Sequence, residues 1–540
     1  MSTQKKAVGS EQSGSVPRDR LKWLWLAFAV VLSLFSGGRW VIPLAVWFSP
    51  LFILRFARSQ RPLRGYLWAT LIRGIAAAIV LQGIIPISGI PYYLVILFLS
   101  FVTALPYLAD RLISPRLQGF VATLVFPAAY TAVEYLGSLG SFGAFSSMAN
   151  TQYGNLPLMQ LVSVTGIWGI TFLINWFAAV VNWAWEREFA WPEVRVGVLL
   201  YAGILAAVLL GGGARLVLFP PKANLVRVVG LSASQAALTA ESQQLPMETQ
   251  MSLMSGKAGP AELAQARSAY APVADDLLAR TQQEATAGAK IVVWPETGAS
   301  VLQKDAPALI QRASALAKQE GIYLDLGLAV IQQNAAGGPA VEDEAVLLDP
   351  TGKVVWTYEK THLVPFQETG VVIPGNGKVP WVDTPFGRLA GVICFDLDFP
   401  GTIRQAGQAG ADLLLAPSND WQAVDPLHTQ AAAFRAIENG FSLVRQTSHG
   451  LAMAVDYEGH VLAASDFFTT DQQVMVAYLP MHGVRTIYAA IGDLFAWLCL
   501  LGVVALAGLA IIMQSRRRHA AAVTPIPESQ PTGVFMQTPK

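Results

Sequence analysis

The feature that most constrains the fold of this sequence is a series of long apolar runs. Hydrophobic residues make up 53% of the 540 residues and charged residues only 14%. The surplus is concentrated in runs whose length suits the roughly 30 Å hydrocarbon core of a bilayer. We therefore predict a polytopic α-helical membrane domain with about eight transmembrane helices, namely Leu21–Phe35, Val41–Phe56, Leu67–Ile85, Tyr92–Leu108, Phe120–Leu136, Ile167–Trp185, Val196–Leu218 and Ile487–Met513.

The first run follows a basic stretch, as the apolar core of a signal peptide does. Because no small-residue cleavage site follows before Arg39, we predict an uncleaved first helix. The positive-inside rule then orients the chain. The loops that this orientation places in the cytoplasm contain arginines at 58, 61, 64, 111, 116, 187, 195 and 516–518, whereas the segment 137–166 has no lysine or arginine.

This pattern predicts a multi-pass protein of the cytoplasmic (inner) membrane with five parts. A disordered cytoplasmic N-terminus covers residues 1–20, and a seven-helix region covers 21–219. An extracytoplasmic block covers 220–484, the last transmembrane helix covers 485–514, and a cytoplasmic tail covers 515–540. The net charge of +1 gives no indication of nucleic-acid binding.

The central block has the alternating pattern of an α/β domain. Short β-branched runs such as Leu225–Gly230 and Tyr323–Ile331 alternate with helix-like stretches such as Ala306–Gly321. The segments Asp349–Gly352 and Tyr457–Gly459 are typical of hairpin turns. We therefore predict a layered α/β domain of about 260 residues, near the upper limit for one domain.

Three reactive residue types follow strands of this block. Glu296 comes after Ile291–Trp294, Lys360 after Val354–Tyr358, and Cys394 closes Gly387–Cys394. A carboxylate can take a thiol proton, a thiolate can attack a carbonyl, and an ammonium can stabilise the resulting oxyanion. Each residue alone also has an ordinary explanation. Glu296 can be a solvated acid, and Lys360 can be a solvated lysine or form a structural ion pair with Glu296. Cys394 can be an inert cysteine of the core. The other cysteine, Cys499, lies in an apolar run, so we predict two free thiols.

Taken together, a Glu, a Lys and a Cys at strand ends in this order resemble the nitrilase (carbon–nitrogen hydrolase) superfamily. With the membrane segments added, the chain resembles the membrane-embedded branch, the apolipoprotein N-acyltransferases, from about Leu21 to about Met513. Further matches to motifs of this family are the segments 360–368, 417–421, 430–445 and 485–493, which contain Glu368 and Asn419. The resemblance implies an αββα sandwich, with Glu296, Lys360 and Cys394 as catalytic residues and Glu368, Phe395, Asp396 and Asn419 in support.

Some positions depart from the family pattern. The usual Cys-Tyr-Glu is Cys394-Phe395-Asp396, and the glycine expected before Glu368 is Gln367. We expect Glu368 either to hold Lys360 or Glu296 in place or to be a surface acid in a mobile loop. These departures leave the nucleophile set intact and bear on donor and acceptor specificity.

By resemblance, a phospholipid donates a fatty acyl chain, Cys394 carries it as a thioester, and the α-amine of a diacylglyceryl-cysteine lipoprotein accepts it. A membrane-anchored amidase or nitrilase acting on a small amide is the first alternative. The second is an inactive relative that binds lipoproteins. The expected partners are membrane lipid and lipoprotein. We expect no cofactor and no metal, because the six histidines show no ligand spacing and no phosphate-binding glycine loop is present.

Overall fold

The computed structural model describes residues 21–221, 224–333, 338–471 and 473–523. The N-terminal stretch 1–20, which was predicted to be disordered, and the end of the tail from residue 524 lie outside these ranges. The predicted last helix extends past its expected end at residue 514 and continues to Val523.

The N-terminal part of the chain is helical. Proline begins several of its helices, where the missing N–H costs nothing. Its helices are α1 (Lys22–Ser33), α2 (Pro43–Arg58), α3 (Pro62–Val80), α4 (Gly89–Ile113), α5 (Val125–Ser138), α6 (Leu156–Met159), α7 (Val162–Thr165), α8 (Trp168–Trp185) and α9 (Trp191–Leu218).

The prediction of about eight transmembrane helices is wrong in number. Within the described ranges, five helical segments are long and apolar enough to cross a membrane, or six if the pair 156–165 and 168–185, bent by 115°, is one span. The first two predicted spans are too short, since the 12 residues of α1 and the 16 of α2 cover only about 18 and about 24 Å. The five segments are Pro62–Val80, Gly89–Arg116, Gly119–Ser138, Trp191–Leu218 and Leu494–His519.

The central block contains strands and helices in alternation, as predicted. Its first half contains β1 (Leu225–Leu231), α10 (Gln235–Gln244), α11 (Met247–Met254), α12 (Pro260–Thr286), β2 (Ile291–Val293), β3 (Ala299–Leu302), α13 (Ala306–Glu320), β4 (Tyr323–Ile331), β5 (Val341–Leu348) and β6 (Val354–Glu359). Its second half contains β7 (Trp381–Thr384), β8 (Gly387–Gly391), α14 (Pro400–Ala409), β9 (Leu413–Leu415), β10 (Ser418–Asn419), α15 (Leu427–Asn439), β11 (Ser442–Arg445), β12 (Thr447–Ser448), β13 (Leu451–Val455), β14 (Val461–Asp466) and β15 (Val474–Pro480). The short α16 (Ile487–Ile491) leads into α17 (Leu494–Val523).

Two sheets pack face to face and carry helices on their outer sides. In the described part of the chain one sheet has the order β15-β1-β2-β4-β5-β6, with β3 beside β4, and the other has the order β14-β13-β11-β9-β8-β7. Side chains of both sheets share one core, including Val228, Ile291, Leu347, Leu389, Leu414 and Val444. Helices α12 and α13 cover the first sheet, and α14 and α15 cover the second. This is the predicted αββα sandwich, and it is confirmed.

The sandwich is packed directly against the helical part. Phe434 and Ile437 of α15 belong to the same buried core as the membrane helices. Hydrogen bonds join the two parts: the backbone N–H of Ala144 donates to the carbonyl of Asp398 at 2.6 Å, and that of Ile167 donates to Glu438 Oε1 at 2.9 Å. Helix α15 and the loop at Asp398 are therefore fixed relative to the membrane helices.

Candidate active site

Three strand ends place the predicted residues. Pro295 follows β2 and ends its hydrogen-bond ladder, and the next residue, Glu296, is only 3% exposed. Lys360 follows β6, is fully buried, and donates its backbone N–H to the carbonyl of Asp343 at 2.9 Å. Cys394 follows β8 and is 2% exposed. The parallel pairing of β8 with β9 brings its backbone N–H within 2.9 Å of the Pro417 carbonyl.

The backbone at Cys394 has an uncommon conformation. Its φ is +42°, in the left-handed region that side chains other than glycine rarely adopt. The residue opens a short 3₁₀ turn, Cys394–Asp398, in which every residue is buried. Strained backbone of this kind persists where surrounding structure fixes it, and it is concentrated at functional sites. The turn therefore holds the thiol in one position between two clusters of charged side chains.

The first cluster, which we call the lysine cluster, consists of Glu296, Asp343, Lys360 and Glu368. The Lys360 ammonium donates to Glu296 Oε1 and, at 2.6 Å, to Glu368 Oε1, and it lies 3.7 Å from Asp343 Oδ2. Burial alone would lower the pKa of Lys360, but the charges of Glu296 and Glu368 raise it well above its ordinary value. The lysine is therefore a fixed cation.

The acids of the lysine cluster differ in their state. Burial and the neighbouring charge of Glu296 raise the pKa of Asp343 well above its ordinary value, which favours its neutral form. Burial also raises the pKa of Glu368, although Lys360 opposes this. Among the described side chains, Glu296 Oε2 is a buried oxygen with no hydrogen-bond partner. Glu296 thus has one oxygen held by the lysine, and its other oxygen is bound by no cation and can accept a proton.

The thiol is protonated in its resting state. Burial and the charge of Glu296 raise the pKa of Cys394 to about 11, while His428 and Lys360 act in the opposite direction. The charge of Lys360 lowers this pKa, but burial and Glu296 outweigh it. The Sγ atom lies 3.5 Å from the Asn419 carbonyl oxygen, so the thiol can donate to it. Attack by this sulfur accordingly requires a base.

The second cluster, which we call the arginine cluster, consists of Asp398, Asp420, His428 and Arg445. The Arg445 guanidinium binds both oxygens of Asp420, at 2.7 and 3.0 Å. The two ring nitrogens of His428 lie 2.8 Å from Asp420 Oδ1 and from Asp398 Oδ2. Arg445 Nη2 also lies 3.8 Å from Cys394 Sγ. This cluster therefore forms the wall behind the thiol.

Charge pairing fixes the protonation states of the arginine cluster. Burial alone would raise the pKa of Asp420, but the charges of Arg445 and His428 hold it well below its usual range. Burial would lower the pKa of His428, but Asp398 and Asp420 raise it well above its ordinary value. Two cations and two anions thus compensate each other inside the fold.

The four predicted supporting residues lie close to this centre. Asp396 is fully buried and accepts from Tyr358 Oη and from the His362 backbone N–H, both at 2.8 Å, and burial raises its pKa to about 6. Its carboxyl thereby ties the turn of the nucleophile to the end of β6. Glu368 contacts Lys360, as one of its two predicted alternatives requires.

The remaining supporting residues line the approach to the sulfur. Asn419 Nδ2 donates to Thr297 Oγ1 at 3.3 Å, which joins the loop beside the thiol to the loop beside Glu296. The ring of Phe395 packs 5.5 Å from that of Phe399 and borders an apolar cavity with a volume of about 60 Å³. The other side chains of this cavity come from both parts of the chain, and they include Ile84, Ile85, Phe142, Phe145, Val364 and Trp421.

Two groups of three titratable side chains have their ligand-type atoms within 4.8 Å of one another. They are Cys394 with Asp420 and His428, and Glu296 with Asp343 and Glu368. A cation of the chain itself lies beside each group: Arg445 binds Asp420 of the first, and Lys360 binds Glu368 of the second. The acids of both groups are therefore paired by side chains, with the geometry of salt bridges.

Sequence reasoning missed Asp343 and the arginine cluster as parts of the site. Asp420 and Arg445 stood in segments that match family motifs, and His428 precedes the matched Gln430 by two residues. The available signal was an acid, a histidine and an arginine bordering one helix. No spacing rule assigns these three residues to one thiol, because the packing of α15 on the sheet brings them together.

Comparison with known proteins gives matches to both parts of the chain. A family model described as the apolipoprotein N-acyltransferase N-terminal domain matches residues 23–180. The carbon–nitrogen hydrolase model matches residues 261–489, which include Glu296, Lys360 and Cys394. The two matched segments thus correspond to the membrane helices and to most of the sandwich.

Individual relatives agree with the family models. An apolipoprotein N-acyltransferase from Geobacter metallireducens is 26% identical, over 74% of this chain and 76% of its own length. Another from Bradyrhizobium diazoefficiens is 25% identical, over 80% of this chain and 79% of its own. Among solved structures, an amidase from Nesterenkonia sp. matches 48% of this chain and 92% of its own with 20% identity and a TM-score of 0.35. The family models and these relatives confirm the resemblance: the chain carries a region that matches the apolipoprotein N-acyltransferase N-terminal domain and a carbon–nitrogen hydrolase domain, and apolipoprotein N-acyltransferases match it over 74% and 80% of its length.

Proposed function

We propose that this protein transfers a fatty acyl group from a phospholipid, through a thioester on Cys394, to the N-terminal amine of a diacylglyceryl-cysteine lipoprotein. One observation carries the proposal: a buried thiol lies between the lysine cluster and the arginine cluster, at an apolar cavity whose walls come from both the sandwich and the loops that connect the membrane helices. A reaction on a small soluble amide has no need of a wall contributed by the membrane part. N-acyltransferase activity is also what the named relatives support.

In the first half-reaction, Glu296 accepts the proton of the Cys394 thiol through its unpartnered Oε2. The sulfur attacks the ester carbonyl of the phospholipid, and the Lys360 ammonium stabilises the oxyanion that forms. The intermediate then expels the alkoxide of the lysophospholipid, which takes the proton back from Glu296. An ester and a thiol have become a thioester and an alcohol.

In the second half-reaction, the amine of the acceptor attacks the thioester carbonyl. Glu296 takes one proton from that amine, and Lys360 again stabilises the oxyanion. Collapse of the intermediate forms the amide and releases the sulfur, which recovers its proton from Glu296. The enzyme returns to its starting state, with the acyl group now on nitrogen.

We further propose that the sandwich lies on the extracytoplasmic side of the inner membrane, with the domain boundaries predicted from the sequence. The two helices that flank the sandwich support this orientation, whatever the total number of spans. Helix α9 enters with Arg187 and Arg195 near its start, and α17 ends near Arg516–Arg518. Both basic ends lie away from the sandwich, and the positive-inside rule places them in the cytoplasm.

A transfer assay tests the function directly. The full chain in detergent receives phosphatidylethanolamine with a deuterated acyl chain and a synthetic diacylglyceryl-cysteine peptide, and mass spectrometry follows all products. We expect an amide-linked deuterated acyl group on the peptide together with lysophospholipid, and neither product with Cys394→Ala. Free deuterated fatty acid without acylated peptide would instead support a hydrolase. No product from either this lipid or small amides would support an inactive lipoprotein-binding relative.

A further inference from the structure

A second cavity lies between the helices, at the end of the bundle away from the sandwich. Its volume is about 930 Å³, within the range of small-molecule sites. It is bordered by the last turns of α2, α4 and α8 and by the loop that leads into α9. The side chains of its wall that matter most are Arg55, Arg58, Arg111, Arg187, Trp183 and Trp185.

The charges around this cavity are only partly compensated. Arg58 is bound by Asp110 at 2.7 Å and by Glu186 at 3.1 Å, so these two acids are engaged. The guanidinium of Arg187 lies 4.4 Å from the centre of the Trp183 ring. Arg111 and Arg187 also border the cavity, and within the described residues neither forms a salt bridge. Two guanidinium groups of the wall are therefore not bound by a carboxylate.

The cavity also has an excess of hydrogen-bond donors. Arg111 Nη2 donates to the Gln60 carbonyl at 2.8 Å, but its Nε is a buried donor with no acceptor among the described residues. The indole Nε1 of Trp183 is likewise buried without an acceptor. Arginine and tryptophan nitrogens can only donate, so the missing partner must supply acceptor oxygens.

The loop beside the cavity has an uncommon backbone. Glu188 and Phe189 are consecutive residues with φ of +53° and +54°, although neither is glycine. Both residues border the cavity. Phe189 and Trp191 are more than half exposed at this end of the bundle, as aromatic residues at the level of lipid headgroups are.

The position of the cavity separates it from the active site. Helix α9 starts beside the cavity and ends at Leu218, just before the sandwich begins at β1. Its 28 residues correspond to about 42 Å, the thickness of a bilayer with its headgroups. The two cavities thus open at opposite faces of the membrane.

We infer that this cavity binds the phosphodiester of a membrane phospholipid headgroup, with Arg111 and Trp183 donating to its oxygens. A phosphate carries the negative charge that pairs with guanidinium groups, and it supplies the acceptor oxygens that Arg111 and Trp183 lack. Basic pockets between transmembrane helices at the cytoplasmic face are suited to lipid headgroups. The site is separate from the acyl donor site at Cys394.

Native mass spectrometry of the full chain tests this assignment by counting retained lipid. The experiment uses the Cys394→Ala background, so the result does not depend on the proposed acyl transfer. The lipids are dioleoyl-phosphatidylglycerol and dioleoylglycerol, which share acyl chains but differ in the phosphate. Arg111→Gln and Trp183→Phe remove the proposed donors. Arg64→Gln is the matched control, because Arg64 is exposed at the same end of the bundle and does not border the cavity.

We expect phosphatidylglycerol retention to fall about tenfold in Arg111→Gln, the effect of losing a hydrogen bond to a charged group. Trp183→Phe should weaken retention in the same direction without changing charge, and Arg64→Gln should retain lipid like the parent. Dioleoylglycerol should bind equally to all variants. Equal retention of phosphatidylglycerol by Arg111→Gln and Arg64→Gln would overturn the assignment. Displacement of the lipid by inorganic phosphate would show a soluble occupant and would also overturn it.

Discussion

The lysine cluster and the arginine cluster border the same thiol, yet they satisfy their charges in different ways. In the arginine cluster the guanidinium binds Asp420 through two nitrogens, and His428 lies between two carboxylates. In the lysine cluster one ammonium serves three acids, and one oxygen of Glu296 has no partner among the described residues. The planar fork of arginine binds one carboxylate through two nitrogens, whereas the point charge of lysine is shared among three acids.

This difference assigns proton transfer to the lysine cluster and the positioning of Cys394 to the arginine cluster. Both carboxylates of the arginine cluster are paired with cations of the chain, so this cluster is suited to hold Cys394 in its strained turn. The cluster with an open oxygen can move a proton during the reaction. The predictions below compare the two, from the largest expected effect to the smallest.

Replacing Glu296 should have the largest effect. Glu296→Gln keeps the size of the side chain but cannot accept the thiol proton, so we expect the rate of acyl-enzyme formation to fall about 10³-fold. Asp343→Asn is the matched control, because the pKa of Asp343 is already raised and asparagine resembles its neutral form. Single-turnover kinetics measure both. A loss of similar size in the two variants would show that the open oxygen of Glu296 is not the special feature.

Replacing Lys360 should reduce both rate and stability. Lys360→Gln removes the oxyanion partner, at a cost of about 10²-fold in rate, and leaves buried acids without their cation, at a cost of about 3–5 kcal/mol. The double variant Lys360→Gln with Glu368→Gln removes one of those acids as well. We expect it to regain much of the thermal stability and none of the rate. Recovery of the rate together with stability would assign Lys360 a purely structural role.

Replacing Arg445 should mainly reduce stability. Arg445→Lys keeps the charge but loses the two-nitrogen contact with Asp420, so we expect a lower Tm and a rate loss of only about tenfold in the folded fraction. Thermal unfolding and single-turnover kinetics on the same sample separate the two effects. An unchanged Tm with a rate loss as large as that of Glu296→Gln would place this cluster in the chemistry.

The smallest expected effect is that of Glu296→Gln on thiol alkylation, which is measured against the pH dependence of the parent. In a Cys499→Ala background, the iodoacetamide rate at Cys394 should rise about tenfold per pH unit from about pH 7 to about pH 10, because the thiol pKa of about 11 keeps the thiolate a minor form. Glu296→Gln removes a charge that raises this pKa, so alkylation at a given pH should become faster. A plateau below about pH 9 in the parent would contradict the raised pKa.

The sandwich could be predicted in detail because its strands carry strong local signals. The run Tyr323–Ile331 coincides with β4, and the predicted strand Ile291–Trp294, which precedes Glu296, contains β2. The edge strands β7 and β14 were missed, because only their inner neighbours contribute the continuous apolar runs that a sequence shows. The arginine cluster was missed because tertiary packing alone brings its members together.

The membrane part was predicted less well for a physical reason. Hydropathy depends only on apolar composition. Helices α1 and α2 have an apolar composition, but they are too short to span a bilayer. The bend of 115° before α8 has no signature in composition either. The proposed orientation of the sandwich relative to the membrane depends on fewer assumptions than the number of spans does. It needs only the two helices that flank the sandwich and the basic residues at their ends.

The central claim is that Cys394 carries the acyl group, and intact-mass spectrometry tests it most directly. The full chain is incubated with phosphatidylethanolamine without acceptor, beside its Cys394→Ala variant. We predict a fatty-acyl mass increment on the parent that hydroxylamine removes and that the variant lacks. An increment of the same size on Cys394→Ala, or the absence of any increment on the folded parent, would contradict the account.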